Sequence, residues 1–134
     1  MNADTYLRWL VTQTPTMWWH DSADPAELQR GLDRGACGVT TNPFLANLTL
    51  AKNAAAWAAD LDTVSVRGLS AEQKAEALTR LVGARAASMY RPHFDASGGK
   101  RGFVCAQVNP ARAGEREAML ATARRFHAWA PNIA

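Results

Sequence analysis

Apolar and polar positions follow one recurring arrangement along this chain: a short apolar run, a small polar residue, a proline, then apolar positions at helical spacing. Met17-Trp18-Trp19-His20 is the first run, and Asp24-Pro25-Ala26-Glu27 follows it as a helix start. Asp24 is a suitable N-cap, Pro25 fits the first helical position and Glu27 completes a capping box. Leu28 and Leu32 then share one face, and Gly35 supplies the stop. The second run is Cys37 to Thr41, with Asn42-Pro43 opening a helix through Phe44, Leu45, Leu48 and Leu50. The third is Phe103 to Val108. Asn109-Pro110 repeats the cap there, ahead of a helix with Met119, Leu120, Ala123 and Phe126 on its inner face. Three strand-to-helix units in succession predict parallel strands joined by helical crossovers.

The second connection is much longer than the others. It holds the Asn42-Pro43 helix, an alanine-rich stretch around Trp57, and a third helical pattern opened by the capping box Ser70-Ala71-Glu72-Gln73. That pattern runs through Leu78, Leu81 and Val82 towards Tyr90, and Asp95 to Lys100 reads as a mobile loop before the third strand. Thr5 to Val11 predicts a leading helix ended at Thr14-Pro15, placed to plug one end of a barrel or to cover the sheet. Trp129 to Ala134 predicts a turn and the first residues of a fourth strand. An apolar strand left as an open edge is one that complete proteins avoid, so we expect an N-terminal part of a longer protein.

Composition narrows the class. A chain of 134 residues allows one modest core, and 48% hydrophobic residues argue against disorder. The net charge of +3 is small, and its basic residues alternate with acids at Arg112, Glu115, Arg116 and Glu117. That pattern is a solvated helix face; it suits an anionic metabolite and argues against nucleic acid. Cys37 and Cys105 lie in apolar runs and read as packed, reduced thiols, with no metal-ligand spacing to His20, His93 or His127. The N-terminus lacks the basic start and apolar run of a signal peptide, and no apolar stretch approaches a membrane span of about 20 residues. A cytoplasmic protein is therefore the expectation.

Candidate chemistry concentrates at the strand ends. In Gly38-Val39-Thr40-Thr41-Asn42-Pro43, β-branched residues favour extended backbone and Asn-Pro then starts a helix. Asn42 thus sits where a strand meets a helix, the place where parallel α/β folds put ligand groups. Asp21 and Gln107 occupy the corresponding ends of the first and third runs. Each has a local reading too: a turn aspartate, a helix cap, an amide satisfied within the sheet. Thr40 and Thr41 suit a barrel wall and, with Asn42, form the candidate substrate-binding rim. A His20–Asp21 dyad is excluded, because adjacent strand residues point to opposite faces.

This hexapeptide resembles the second-strand signature of the transaldolase family, a variant of "TTNP". The likeness extends from Met17 to Ala134, with an insertion in the second connection. Asp21 matches the aspartate that ends the family's first strand. Gln107 stands where most transaldolases carry glutamate, and Ala106-Gln107-Val108 is similar to the "AQV" setting of the fructose-6-phosphate aldolase branch. Trp129 to Ala134 resembles the segment leading into the fourth strand, which in the family carries a catalytic lysine one or two residues further on.

The resemblance implies an α/β fold: the N-terminal part of a (β/α)8 TIM barrel, residues 1–134 spanning about three and a half units up to the start of strand 4. It also implies class I aldol chemistry on sugar phosphates, in carbohydrate metabolism and the pentose phosphate pathway, with neither metal nor cofactor. A lysine amine forms a Schiff base with a ketose carbonyl, which serves as electron sink for breaking the adjacent carbon–carbon bond. Asp21 would move protons at the substrate hydroxyl, Asn42 would hold the dihydroxyacetone unit, and Gln107 would position water. A glutamine amide positions water but cannot accept a proton as a carboxylate does.

The lysines of the chain, Lys52, Lys74 and Lys100, all fall outside the apolar runs where desolvation yields a neutral amine. We therefore expect the chain alone to be inactive. The competing expectations are a non-catalytic half-barrel that binds a partner or forms a homo-oligomer through its open edge, and a generic α/β domain binding anions at helix N-termini.

Overall fold

The computed structural model describes residues 3–64 and 68–134. It begins with helix α1 (Ala3–Gln13), then strand β1 (Trp19–Asp21), α2 (Pro25–Asp33), β2 (Gly38–Thr41), α3 (Pro43–Lys52) and α4 (Ala54–Asp62). After these come α5 (Ala71–Ala96), β3 (Phe103–Ala106), a 3-10 turn at Pro110–Arg112 and α6 (Arg116–His127). The strands lie in the order β1-β2-β3, all parallel. Beyond α6 the chain returns to β3: Val104 N donates to Asn132 O (2.8 Å) and Ala134 N to Val104 O (2.9 Å), in parallel register. The whole is a mixed α/β arrangement consistent with a partial TIM-barrel-type domain.

Local chemistry accounts for the helix starts. Asp24 accepts from Ala26 N and Glu27 N, Asn42 from Leu45 N, and Ser70 with Gln73 forms a complete capping box. One detail departs from expectation at α2. Glu27 does not close a box on Asp24; its carboxylate accepts from Ser22 Oγ (2.6 Å), which in turn accepts from Asp24 N (3.1 Å). The serine hydroxyl reaches both groups and so relays the contact.

Two further expectations are corrected. α5 continues past Tyr90 and through Pro92 to Ala96, taking in the first two residues of the loop expected at Asp95 to Lys100, and Ser97 then organises a tight turn by accepting from Lys100 N and Arg101 N. The Asn109-Pro110 cap opens only the short 3-10 turn. Gly114, at φ +90, breaks it, and α6 restarts at Arg116. α1 lies against the turn that leads into β2, with Val11 filling the space beside Gly35 and Arg8 donating to Asp33 O (2.8 Å).

One face of the sheet is the main core. Val39, Val104 and Ile133, in register with His20, pack with Leu28 of α2, Ala86, Ala87 and Tyr90 of α5 and Phe126 of α6. Asn132 is fully buried and donates to Ala87 O and Gly102 O (2.9 Å each), tying the returning segment to α5 and to the start of β3. A second cluster of Ala23, Ala46, Leu50, Trp57 and Val82 fastens α3 and α4 to α5.

Candidate functional site

Strand register decides which polar side chains share a face. Asp21, Thr40 and Cys105 form one row across β1, β2 and β3, on the face opposite Val39 and Val104. Thr40 Oγ1 donates to Asp21 Oδ1 at 2.7 Å, fixing the carboxylate against its neighbour strand. Asn42 lies two residues beyond Thr40, and Gln107 two beyond Cys105, so both fall at the carboxyl ends of their strands. Gln107 N donates to Thr41 O (3.3 Å), extending the β2–β3 ladder one step past β3. Asn42 Oδ1 is engaged as the α3 cap, accepting from Leu45 N at 2.9 Å.

Thr41 takes the other side. It is 4% exposed on the core face, and its hydroxyl meets no partner among the described residues. Thr40 stands beside Asp21, whereas Thr41 does not. His20 also faces away from Asp21, as alternation requires, with its imidazole over Gly31 of α2 and edge-on to Trp18.

Below the row of Asp21 lies an aromatic row. Trp19 reaches over Gly38 to stack near Phe103 (centroids 6.4 Å, planes 16° apart), and Phe94 meets Phe103 edge-on. A Cβ on Gly38 would fall 2.7 Å from two indole carbons and 2.9 Å from Phe103 O. Gly38→Ala is therefore expected to push the indole aside and lower stability by about 1–3 kcal/mol. Urea titration followed by tryptophan fluorescence checks this, and an unchanged midpoint and spectrum would contradict it.

A side-chain clamp that sequence reading missed holds the exit of β3. Arg112 donates to both oxygens of Glu72 (3.0 and 2.7 Å) and to Glu115, while Asn109 Nδ2 donates to Glu72 Oε1 (3.3 Å). The guanidinium and then the Asn109 amide hold the Glu72 carboxyl down at about 2. The clamp is therefore intact above the ordinary value of 4.5 and is lost as pH falls towards 2. Beside it a cavity of about 230 Å³ is lined by Pro43, Glu72, Thr79, Gln107, Asn109 and Phe126, among others. Burial pushes the Cys105 thiol up, so the only sulfur in the Asp21 row stays protonated at neutral pH.

Lys52 ends α3, Lys74 lies in the first turn of α5 and Lys100 in the turn before β3. All three are exposed and none is on a strand. Among the described residues no three His, Cys, Asp or Glu side chains are grouped to hold a metal, and no helix is long and apolar enough to cross a membrane.

Residues 18–134 match the family described as Transaldolase/Fructose-6-phosphate aldolase. The transaldolase of Acidothermus cellulolyticus is 34% identical over 112 residues, covering 79% of this chain and 30% of the relative. That of Neisseria gonorrhoeae is 31% identical over 102 residues, covering 76% and 29%. Transaldolase 1 of Streptomyces coelicolor is 29% identical over 137 residues, covering 95% and 35%. The chain thus spans about a third or less of the length of these curated relatives.

Proposed function

Since the chain belongs to the transaldolase/fructose-6-phosphate aldolase family, we propose that it supplies the first strands of a (β/α)8 barrel that cleaves or transfers a dihydroxyacetone unit of ketose phosphates through a lysine Schiff base. The observation that carries this reading is the row Asp21–Thr40–Cys105, with Asn42 and Gln107 one step further at the strand ends. Continuing the register of Ala134 by two residues would bring a fourth-strand side chain level with Gln107 on that same face. An amine there would stand among groups able to serve it.

In this reading the amine attacks the ketose carbonyl, water leaves, and the iminium accepts the electron pair released as the carbon–carbon bond breaks. Asp21 takes the proton from the hydroxyl whose oxygen becomes the aldehyde. Thr40, donating to one carboxylate oxygen, orients the other towards substrate. Asn42 keeps its oxygen on the helix cap and offers its NH2 to a substrate hydroxyl. Gln107 holds the water that enters and leaves with the Schiff base, and an amide does this without itself taking a proton.

Borohydride trapping with fructose 6-phosphate tests the assignment. Residues 18–134 of this chain replace the matching segment of the full-length Acidothermus relative, and the chimera is compared with the 134-residue chain. The chimera is expected to retain a reduced adduct on a fourth-strand lysine, and the chain to give none. Adduct on Lys52, Lys74 or Lys100, or a chimera whose trapping rate is unmoved by Asp21→Ala, would overturn it.

A further inference from the structure

His20 is the titratable group on the core face of the sheet, and the proposed chemistry makes no use of it. Its ring lies flat on α2 where Gly31 has no side chain: a Cβ there would fall 3.0–3.1 Å from His20 Cβ, Cγ and Cδ2. Trp18 closes the ring from its edge (centroids 6.0 Å, 89°), and Val39 is its cross-strand neighbour. Nε2 is buried and meets no hydrogen-bond partner among the described residues. A neutral imidazole with an unprotonated Nε2 suits this slot. An imidazolium would bury a charged N–H with no acceptor, a costly arrangement.

The charged groups around the ring do not remove that cost. Glu27 and Asp21 favour the cation, Arg34 and Arg30 oppose it, and burial outweighs them all in the direction of the neutral form. Glu27 is the same carboxylate that accepts from Ser22 Oγ, and Ser22 is the residue directly after Asp21. Ser22 N in turn donates to Thr40 O (3.2 Å). The first turn of α2, the end of β1 and the Thr40–Asp21 pair are therefore one connected unit with His20 wedged beneath it.

We propose that His20 is an acid-release latch: neutral, it seats α2 on β1, and protonated, it lifts α2 and loosens the Ser22–Glu27 tie that fixes the end of β1. The sign follows from proton binding. As pH falls below about 6.5, the unfolded chain takes up a proton at this site before the folded one does, so stability falls, by up to tenfold in the folding constant per pH unit. The loss levels off once the folded ring is also protonated. Only the consequence for catalysis, displacement of Asp21 under mild acid, rests on the proposed function; the latch is a property of folding and is measured without substrate.

The test is a pH titration of the 134-residue chain by NMR, with histidine labelled at Cε1 and the backbone with 15N, beside urea unfolding at pH 7.5 and 5.5. His20 is expected to titrate below 6.5, with the amides of Ser22, Ala23 and Leu28 to Gly31 shifting in step. His20→Phe fills the slot without titrating and is expected to abolish both the amide shifts and most of the pH dependence of unfolding; His20→Leu serves if the phenylalanine variant fails to fold. Titration of His20 at or above 6.5, α2 amides that stay still while it titrates, or an unaltered pH dependence in the variant would each overturn the latch. Any of these would leave the borohydride result untouched.

Discussion

Gly102→Ala is expected to be among the most damaging single-methyl additions in this chain. Gly102 adopts φ +82, a region that L side chains rarely enter, and its missing Cβ points into the backbone of α5. A methyl there would collide with Phe94 N and lie 2.7 Å from Tyr90 O, atoms of a helix that cannot step aside. Gly102 is also tied through both its N–H and its C=O, donating to Cys37 O (2.6 Å) and accepting from Asn132 Nδ2 (2.9 Å). Strain and collision together are expected to cost about 3–5 kcal/mol, a large part of the 5–15 kcal/mol typical of a folded domain. Gly98→Ala is the control. Its φ of +61 is similar but open space surrounds it, so only the strain of about 1 kcal/mol or slightly more should appear. Urea midpoints of the two variants measure the difference, and equal midpoints would refute the collision.

Trp57→Ala is the second large effect. Trp57 is the largest fully buried side chain and joins α4 to Ala46, Leu50 and Val82. The Arg85 guanidinium lies 4.5 Å over its ring and also reaches Asp60 (3.4 Å) and Ala56 O (3.3 Å). Truncation empties a ring-sized volume and removes the surface on which Arg85 rests, at an expected cost of about 3–5 kcal/mol. Trp57→Phe keeps most of the apolar volume and should lose clearly less. Because Asn42 caps α3, loosening this cluster is also expected to blur the Asn42–Leu45 cap. Hydrogen exchange at Leu45 N reports on that, and full protection in the alanine variant would show that the cap stands independently.

Much of this architecture was legible in the chain because it depends on near neighbours. Asp24, Asn42 and Ser70 cap helices through atoms two or three residues away, so their spacing carries the information. Alternation alone separates His20 from Asp21, and it equally separates Thr40 from Thr41, although a rim drawn from the motif takes in both threonines. The turn at Gly114 was less visible, because the same Asn-Pro pair opens a full helix at Asn42 and only a short 3-10 turn at Asn109. Interactions between distant segments were not legible. Glu72 and Arg112 are separated by 40 positions, and nothing in either local pattern announces the pair. The row formed by Asp21, Thr40 and Cys105 is likewise set by register, which the packing of Val39 and Val104 against α5 and α6 decides. Membership of the family is read from residues; the roles of Asp21, Asn42 and Gln107 stand as proposals.

Trp19 gives these three strands an apolar floor. Its indole bridges the gap over Gly38 to Phe103, so the Asp21 carboxylate has hydrocarbon on the side facing the strand starts, and that hydrocarbon is itself 38% exposed at Trp19.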